Sequence, residues 1–299
     1  MNSSLPCQIE VLFGSKNRAD FDALSDVDYL LADPDADRLK DRKQTLEAFG
    51  FSVSDYSMKR LQALFRKKTL FAVHLKLEGK VIFDQLGEFC ELANGLDQIR
   101  SYRPEQIQSF ELFSPLQNIP DTPRGVMWAL DHAAVAFRNA AIVDHARRGE
   151  FVFSHEELLL NYQNWGEATQ DELCALSELR RAKRAYRSGH VLPKGREILD
   201  GSLRAIDEIF SLGLGAEFHT RPIIARVSGA KDSTKAYASL REIEKELIAV
   251  RTERLDGFQL LKLDRLFRTV RNPHSYLWRA MHDHISIDRA LDDLRASIY

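Results

Sequence analysis

Hydrophobic and polar positions change their period about a third of the way along the chain. Residues 8–13, QIEVLF, are a short β-branched and aromatic run that stops at Gly14-Ser15. Residues 25–33, SDVDYLLAD, are a second such run, closed by Pro34. Over 35–49 the apolar positions Leu39, Leu46 and Phe49 stand among charges, which predicts a surface helix, with Gly50 at the position just past its end. FSVSDY predicts a third strand, SMKRLQALFRKK a helix, and TLFAVHLKLEGKVIFD a strand pair turning at Glu78-Gly79. In that last run Phe71, Val73 and Leu75 alternate with Ala72, His74 and Lys76, so the two sets face opposite ways on a strand.

From about residue 121 the strand signals fade. PRGVMWALDHAAVAFRNAAIVDHARRG repeats apolar positions at helical spacing (Trp128, Leu130, Ala134, Phe137, Ala141), and four further stretches down to residue 268 do the same. SHEE offers a capping box, Ser154 at the N-cap and Glu157 three residues on. Between the two regimes, SFELFSPLQNIPDTP (109–123) carries three prolines and marks a domain boundary. The expected fold class is α+β: a small mixed β-sheet domain over residues 1–115, then an all-α helical domain over 121–299.

Composition changes this picture only by exclusion. The chain has 299 residues, 44% hydrophobic and 29% charged, with a formal net charge of −2, so bulk charge does not point to a dedicated nucleic-acid or membrane-surface protein. Cys7, Cys90 and Cys174 are scattered without a CxxC pair, which argues against a disulfide framework and a thiolate zinc site. No apolar run approaches the ~20 residues of a membrane span, and MNSSLPCQIEVLFG lacks the layout of a signal peptide. The expected location is cytoplasmic, with no membrane partner.

The candidate chemistry lies in LFGSKNRADFDALSDVDYLL (12–31). Where a strand ends at Gly14, the missing β-carbon lets the backbone approach a ligand, and Ser15 with adjacent N–H groups can hold phosphate oxygens. Asp26 and Asp28, two apart on a strand, point to one face. Paired carboxylates repel unless a cation sits between them, and Mg²⁺ takes hard oxygen ligands from carboxylates and phosphates together. A phosphate cradle opposite such a pair suits metal-assisted displacement at phosphorus.

Gly14-Ser15, ten residues, then Asp26-Val27-Asp28 resembles the signature of the minimal nucleotidyltransferases of the DNA polymerase β-like superfamily. Arg18 and Ser25 also match the common form, and Ala19 replaces a usual glycine. The resemblance implies Mg²⁺ held by Asp26 and Asp28, a nucleoside triphosphate (ATP expected) contacted by Gly14, Ser15, Arg18 and Ser25, and transfer of a nucleoside monophosphate with loss of pyrophosphate. It also implies a third carboxylate on a later strand. The matching place holds His74, which would act as general base toward an acceptor hydroxyl. Glu78, on the same strand face, would lie roughly 13 Å along it.

Two features belong to the helical half. Arg138 and His145, seven residues apart on one predicted helix, share a face and resemble the Arg–His pair of HEPN ribonucleases, which cut RNA without metal. Arg180, Lys183, Arg184 and Arg187 form a basic stripe at helical spacing that can contact an RNA acceptor or a triphosphate. His274, His282, Asp283 and His284 match no zinc spacing. Three function classes follow: an active nucleotidyltransferase modifying a protein or RNA acceptor, a degenerate nucleotide-binding subunit that assembles with a partner, and a HEPN-type ribonuclease using Arg138 and His145. By analogy with the companies such domains keep, a toxin–antitoxin or antiphage defence module is the expected setting.

Overall fold

The structure, a computed structural model, describes residues 6–14, 27–96, 101–219, 233–251, 256–270 and 293. Its order at the start of the chain follows the apolar runs. Strands β1 (Ile9–Phe13) and β2 (Asp28–Ala32) pair antiparallel, and β3 (Ser52–Tyr56) lies parallel to β2. Strand β4 (Lys80–Asp84) pairs antiparallel with the other edge of β1, giving the order β3-β2-β1-β4.

Helices cover both faces of this sheet, which is why its two central strands read as nearly continuous apolar runs. Helix α1 (Ala36–Ala48) packs Leu39 and Leu46 against Tyr29, Leu31 and Val53 on one face. Its start is fixed by Asp35, whose side chain accepts from the backbone of Asp37 and Arg38, and Gly50 follows its end at φ +85°. On the other face, α2 (Met58–Arg66), α3 (Leu70–Glu78) and α4 (Glu88–Asn94) bring Leu61, Phe65, Ala72, Leu75 and Phe89 onto Ile9, Val11, Phe13, Leu30 and Ala32. One charge is buried under α1. Glu10, 1% exposed, accepts from Arg42 Nε and Nη2, each at 2.8 Å, and from the Tyr29 hydroxyl at 2.8 Å. Burial pushes its carboxyl up, yet those bonds outweigh burial and hold it below the usual range.

The strand expected at residues 69–77 is instead helix α3. Thr69 caps it, its hydroxyl accepting from Ala72 N at 3.2 Å, and Gly79 ends it. Alternation in LFAVHLKLE misled because so short and largely apolar a run fits either period. The helical spacing of Ala72 and Leu75, both wholly buried, decides it.

The chain divides into two compact units, residues 1–104 with 141–160, and residues 105–140 with 161–299. The proline-rich stretch 109–123 falls within the second. In the first unit, Tyr102, Val143 and Ala146 form a small core with Leu70 and Phe151 against it. The second unit begins in α5 (Arg103–Glu111), and a two-residue parallel pair joins β5 (Ile119–Pro120) to β6 (Phe218–His219). Helix α6 (Pro123–Arg147) and α7 (His155–Asn164) are divided between the units. The rest is α8 (Gln170–Arg187), α9 (Gly195–Phe210), α10 (Ser233–Val250) and α11 (Gly257–Val270). An α+β chain, a small mixed sheet followed by a predominantly helical part, is therefore what the sequence builds. Ser154 does cap α7, accepting from Glu157 N at 3.4 Å, while the full reciprocal box forms at Thr169 and Glu172 on α8.

The second unit is organised around buried charge. Arg241 of α10 lies 2.7 Å from Asp131 of α6 and 2.7 Å from Glu244, and Tyr186 donates to Glu244 at 2.6 Å. Arg187 reaches the other oxygen of Asp131 at 3.2 Å. His132 donates from Nε2 to Leu112 O at 2.7 Å, leaving Nδ1 to accept from Arg241 at 3.4 Å, and it stacks on Trp128. Burial, with the nearby guanidinium adding to it, pushes the His132 pKa down to about 3, so the ring is neutral. Burial pushes Asp131 up, but Arg241 and Arg187 outweigh it and hold the carboxyl low. Two guanidiniums thus face two carboxylates. Among the described residues no helix is long and apolar enough to cross a membrane.

Candidate functional site

Antiparallel register brings the two ends of the Gly-Ser and Asp-Val-Asp signature together. Phe13, the last residue of β1, stands opposite Asp28, the first of β2, so Gly14 turns directly beside the Asp28 carboxylate. Gly14 is buried at φ +84°, and a β-carbon there would lie 2.5 Å from Asp28 Oδ2. Glycine is needed twice at this point, for a left-handed backbone and for contact that no side chain permits. Ser15, Arg18, Ser25 and Asp26 lie outside the described residues, as does the His274–His284 group.

Gly14→Ala is accordingly expected to displace the Asp28 carboxylate and to add the roughly 1–2 kcal/mol that a left-handed backbone costs a residue with a β-carbon. Isothermal denaturation beside the native protein measures the loss, and an unchanged midpoint in the alanine variant would mean that Gly14 carries neither the strain nor the contact.

Alternation puts Asp28 on the face of Leu30 and Ala32, and the parallel register sets Ser52 of β3 beside it. Of the other strand carboxylates among the described residues, Glu10 and Asp55 turn to the α1 face, where Lys43 meets Asp55 at 2.6 Å. Asp84 stands opposite Ile9, at the far end of β1. No second strand carboxylate therefore adjoins Asp28 among the described residues. Nor do three or more His, Cys, Asp or Glu side chains converge among them. Mg²⁺ takes hard oxygen ligands, and of those the described residues supply the Asp28 carboxylate at this point.

His74 does not occupy a strand position. In α3 the residue is buried, and its ring stacks on Phe153 at 4.2 Å and meets the edge of Phe13 at 5.5 Å. Its Nε2 lies 2.9 Å from Glu78 Oε2, because one helical turn brings positions i and i+4 together. Sequence reasoning set these two apart along a strand. The cap signal at Thr69 and the stop at Gly79 were the clues to their pairing.

In the second half, Arg138 is half-buried on α6, while His145 is wholly buried with Nδ1 donating to Ala141 O at 2.9 Å. Burial pushes the His145 pKa down, a bond to Ala141 opposing it. An RNA phosphodiester does not reach a ring so placed unless the helix moves. Arg180 and Lys183 of the basic stripe are half-buried, Arg184 is exposed, and Arg187, also exposed, pairs with Asp131. The buried Arg241–Asp131–Glu244 group was not anticipated, since nothing local in the sequence links α6 with α10.

Against protein-family models, curated proteins and solved structures, the chain has no match.

Proposed function

We propose that the protein is a Mg²⁺-dependent nucleotidyltransferase that moves a nucleoside monophosphate from a nucleoside triphosphate, ATP expected, to a protein or RNA acceptor. The observation that supports this most is the seating of Gly14 against the Asp28 carboxylate, which brings the glycine and the second aspartate of the motif to one point on the sheet. Asp28, with Asp26, would hold Mg²⁺, which when bound supplies charge neutralisation at the triphosphate. Ser15, Arg18 and Ser25 would bind and orient the phosphates, and the exposed Arg184 with its stripe neighbours would meet an anionic acceptor.

A second reading is a nucleotide-binding subunit without transfer, assembled with a partner of a toxin–antitoxin or defence complex. Ser52 beside Asp28, where a further carboxylate would strengthen the site, favours it. Labelled ATP separates the two. A transferase passes label from α-³²P-ATP, and not from γ-³²P-ATP, to lysate protein or total RNA in the presence of Mg²⁺. Label from neither, with MgATP still raising the melting temperature, selects the binding subunit.

A further inference from the structure

A strand at the edge of a sheet presents backbone groups that can template another strand, and edges that stay single are guarded by a proline, a central charge or a cover. Strand β4 is such an edge. It pairs with β1 on one side, and among the described residues no strand lies on the other. Its sequence, KVIFD, keeps its charges at the two ends and puts Val81, Ile82 and Phe83 in the middle. Val81 and Ile82 are 38% and 48% exposed, and Leu77 before the strand and Leu86 after it are more exposed still. Large apolar side chains gathered along one edge, rather than scattered singly, mark an interaction surface. A bulge does guard this edge in part. The register with β1 shifts between Glu10 and Val11, which gives β4 one residue more and sharpens its twist. Ile82, the residue without a partner in that register, remains exposed all the same.

The order of the charges says what fits. Antiparallel pairing with a second copy, centred on Ile82, sets Lys80 of each chain opposite Asp84 of the other and Val81 opposite Phe83. Parallel pairing in register would set lysine against lysine and aspartate against aspartate. Opposite charges across a strand pair attract and like charges repel, so the strand complements itself only when reversed. Lys80 is exposed. Asp84 accepts from Cys90 N at 3.1 Å through Oδ2, while Oδ1, shielded from solvent, has no hydrogen-bond partner among the described residues. A carboxylate short of partners is stabilised by an ammonium laid alongside it.

We propose that the protein forms a homodimer by antiparallel pairing of β4 with β4 across a twofold axis, which joins two four-stranded sheets into one continuous sheet. The twofold sets the Gly14–Asp28 ends of the two copies at opposite sides of the joined sheet, so neither site borrows from the other. The assembly stands or falls independently of the nucleotidyltransferase reading.

Sedimentation equilibrium of the full-length protein over a concentration series tests it, with oxidative cross-linking beside it. The native mass rises from one chain to two in the micromolar range. Ile82→Lys puts a charge at the centre of the pair and holds the mass at one chain over the same series with an unchanged urea midpoint, whereas Ile82→Val dimerises as the native protein does. Lys80→Glu turns two attractive pairs into repulsive ones and weakens dimerisation about tenfold at low salt, less at high salt. In a background of Cys90→Ser with Cys174→Ser, Ile82→Cys forms a disulfide dimer on mild oxidation, because directly opposed residues sit about 5 Å apart at Cβ. Phe49→Cys, as exposed but at the end of α1, does not. A native protein that stays a single chain throughout overturns the proposal and leaves the edge to a strand of another protein. A dimer that survives Ile82→Lys overturns it too and moves the interface elsewhere. Should Ile82→Lys lower the urea midpoint, the cross-linking comparison decides, and Ile82→Cys cross-linking no faster than Phe49→Cys sinks the pairing.

Discussion

Asp28→Asn should lower transfer from α-labelled ATP by about 10³-fold and erase the Mg²⁺-dependent part of the ATP thermal shift. The amide is nearly the same size as the carboxylate, so the contact with Gly14 persists and only charge is lost. A neutral amide holds a hard cation poorly, and losing several kcal/mol of charge stabilisation corresponds to about three powers of ten in rate. In the native protein, MgATP at a hundred times its Kd should add about 2.7 kcal/mol to stability. In the Asn variant most of that increment should vanish, while the melting temperature without nucleotide stays close to native. Asp55→Asn is the control: its carboxylate faces α1 and Lys43, so transfer and shift should both be unchanged. A full MgATP shift in Asp28→Asn moves the metal site off β2.

The largest expected effect on stability belongs to the other unit. Arg241→Met leaves Asp131 and Glu244 without their shared guanidinium in surroundings where the three side chains are at most 3% exposed. Breaking a buried pair in this way costs about 3–5 kcal/mol, most of it the penalty for carboxylates stranded away from water. Urea denaturation followed by circular dichroism measures it. By contrast Arg251→Met removes only the half-exposed pair with Asp264 and should cost about 1 kcal/mol or less. Equal losses in the two variants would mean that water reaches the Arg241 cluster.

Much of the first sheet was legible because its signals are local. Asp35 and Ser57 cap helices beside the residues they serve, Gly50 ends one at positive φ, and the runs at 8–13, 25–33 and 51–56 each hold a strand. The 69–78 segment was misread because six apolar residues in nine satisfy two periods at once, and burial of Ala72 and Leu75 against β1, a tertiary fact, breaks the tie. For the site, Gly14 and Asp28 were each picked out by the motif, but their contact comes from the antiparallel register of β1 and β2, and the His74–Glu78 bond depends on which period won. The α6–α10 charge cluster was not legible at all. Its members Tyr186 and Glu244 stand 58 residues apart, and no periodicity links them. The basic stripe was visible as a pattern, but that Arg187 spends itself on Asp131 depends on the same long-range packing.

The first unit is not one continuous length of chain. Its small core needs Val143 and Ala146, and the ring that stacks on His74 belongs to Phe153. On a ribosome delivering the chain from the N-terminus at about 5–20 residues per second, the four strands emerge several seconds before these partners do. During that interval Tyr102 and His74 lack the neighbours that cover them, and the end of the sheet that carries Asp28 waits unfinished. Nascent protein of this kind passes through a window in which its first unit is assembled only in part, and closes that window only once residue 160 has left the exit tunnel.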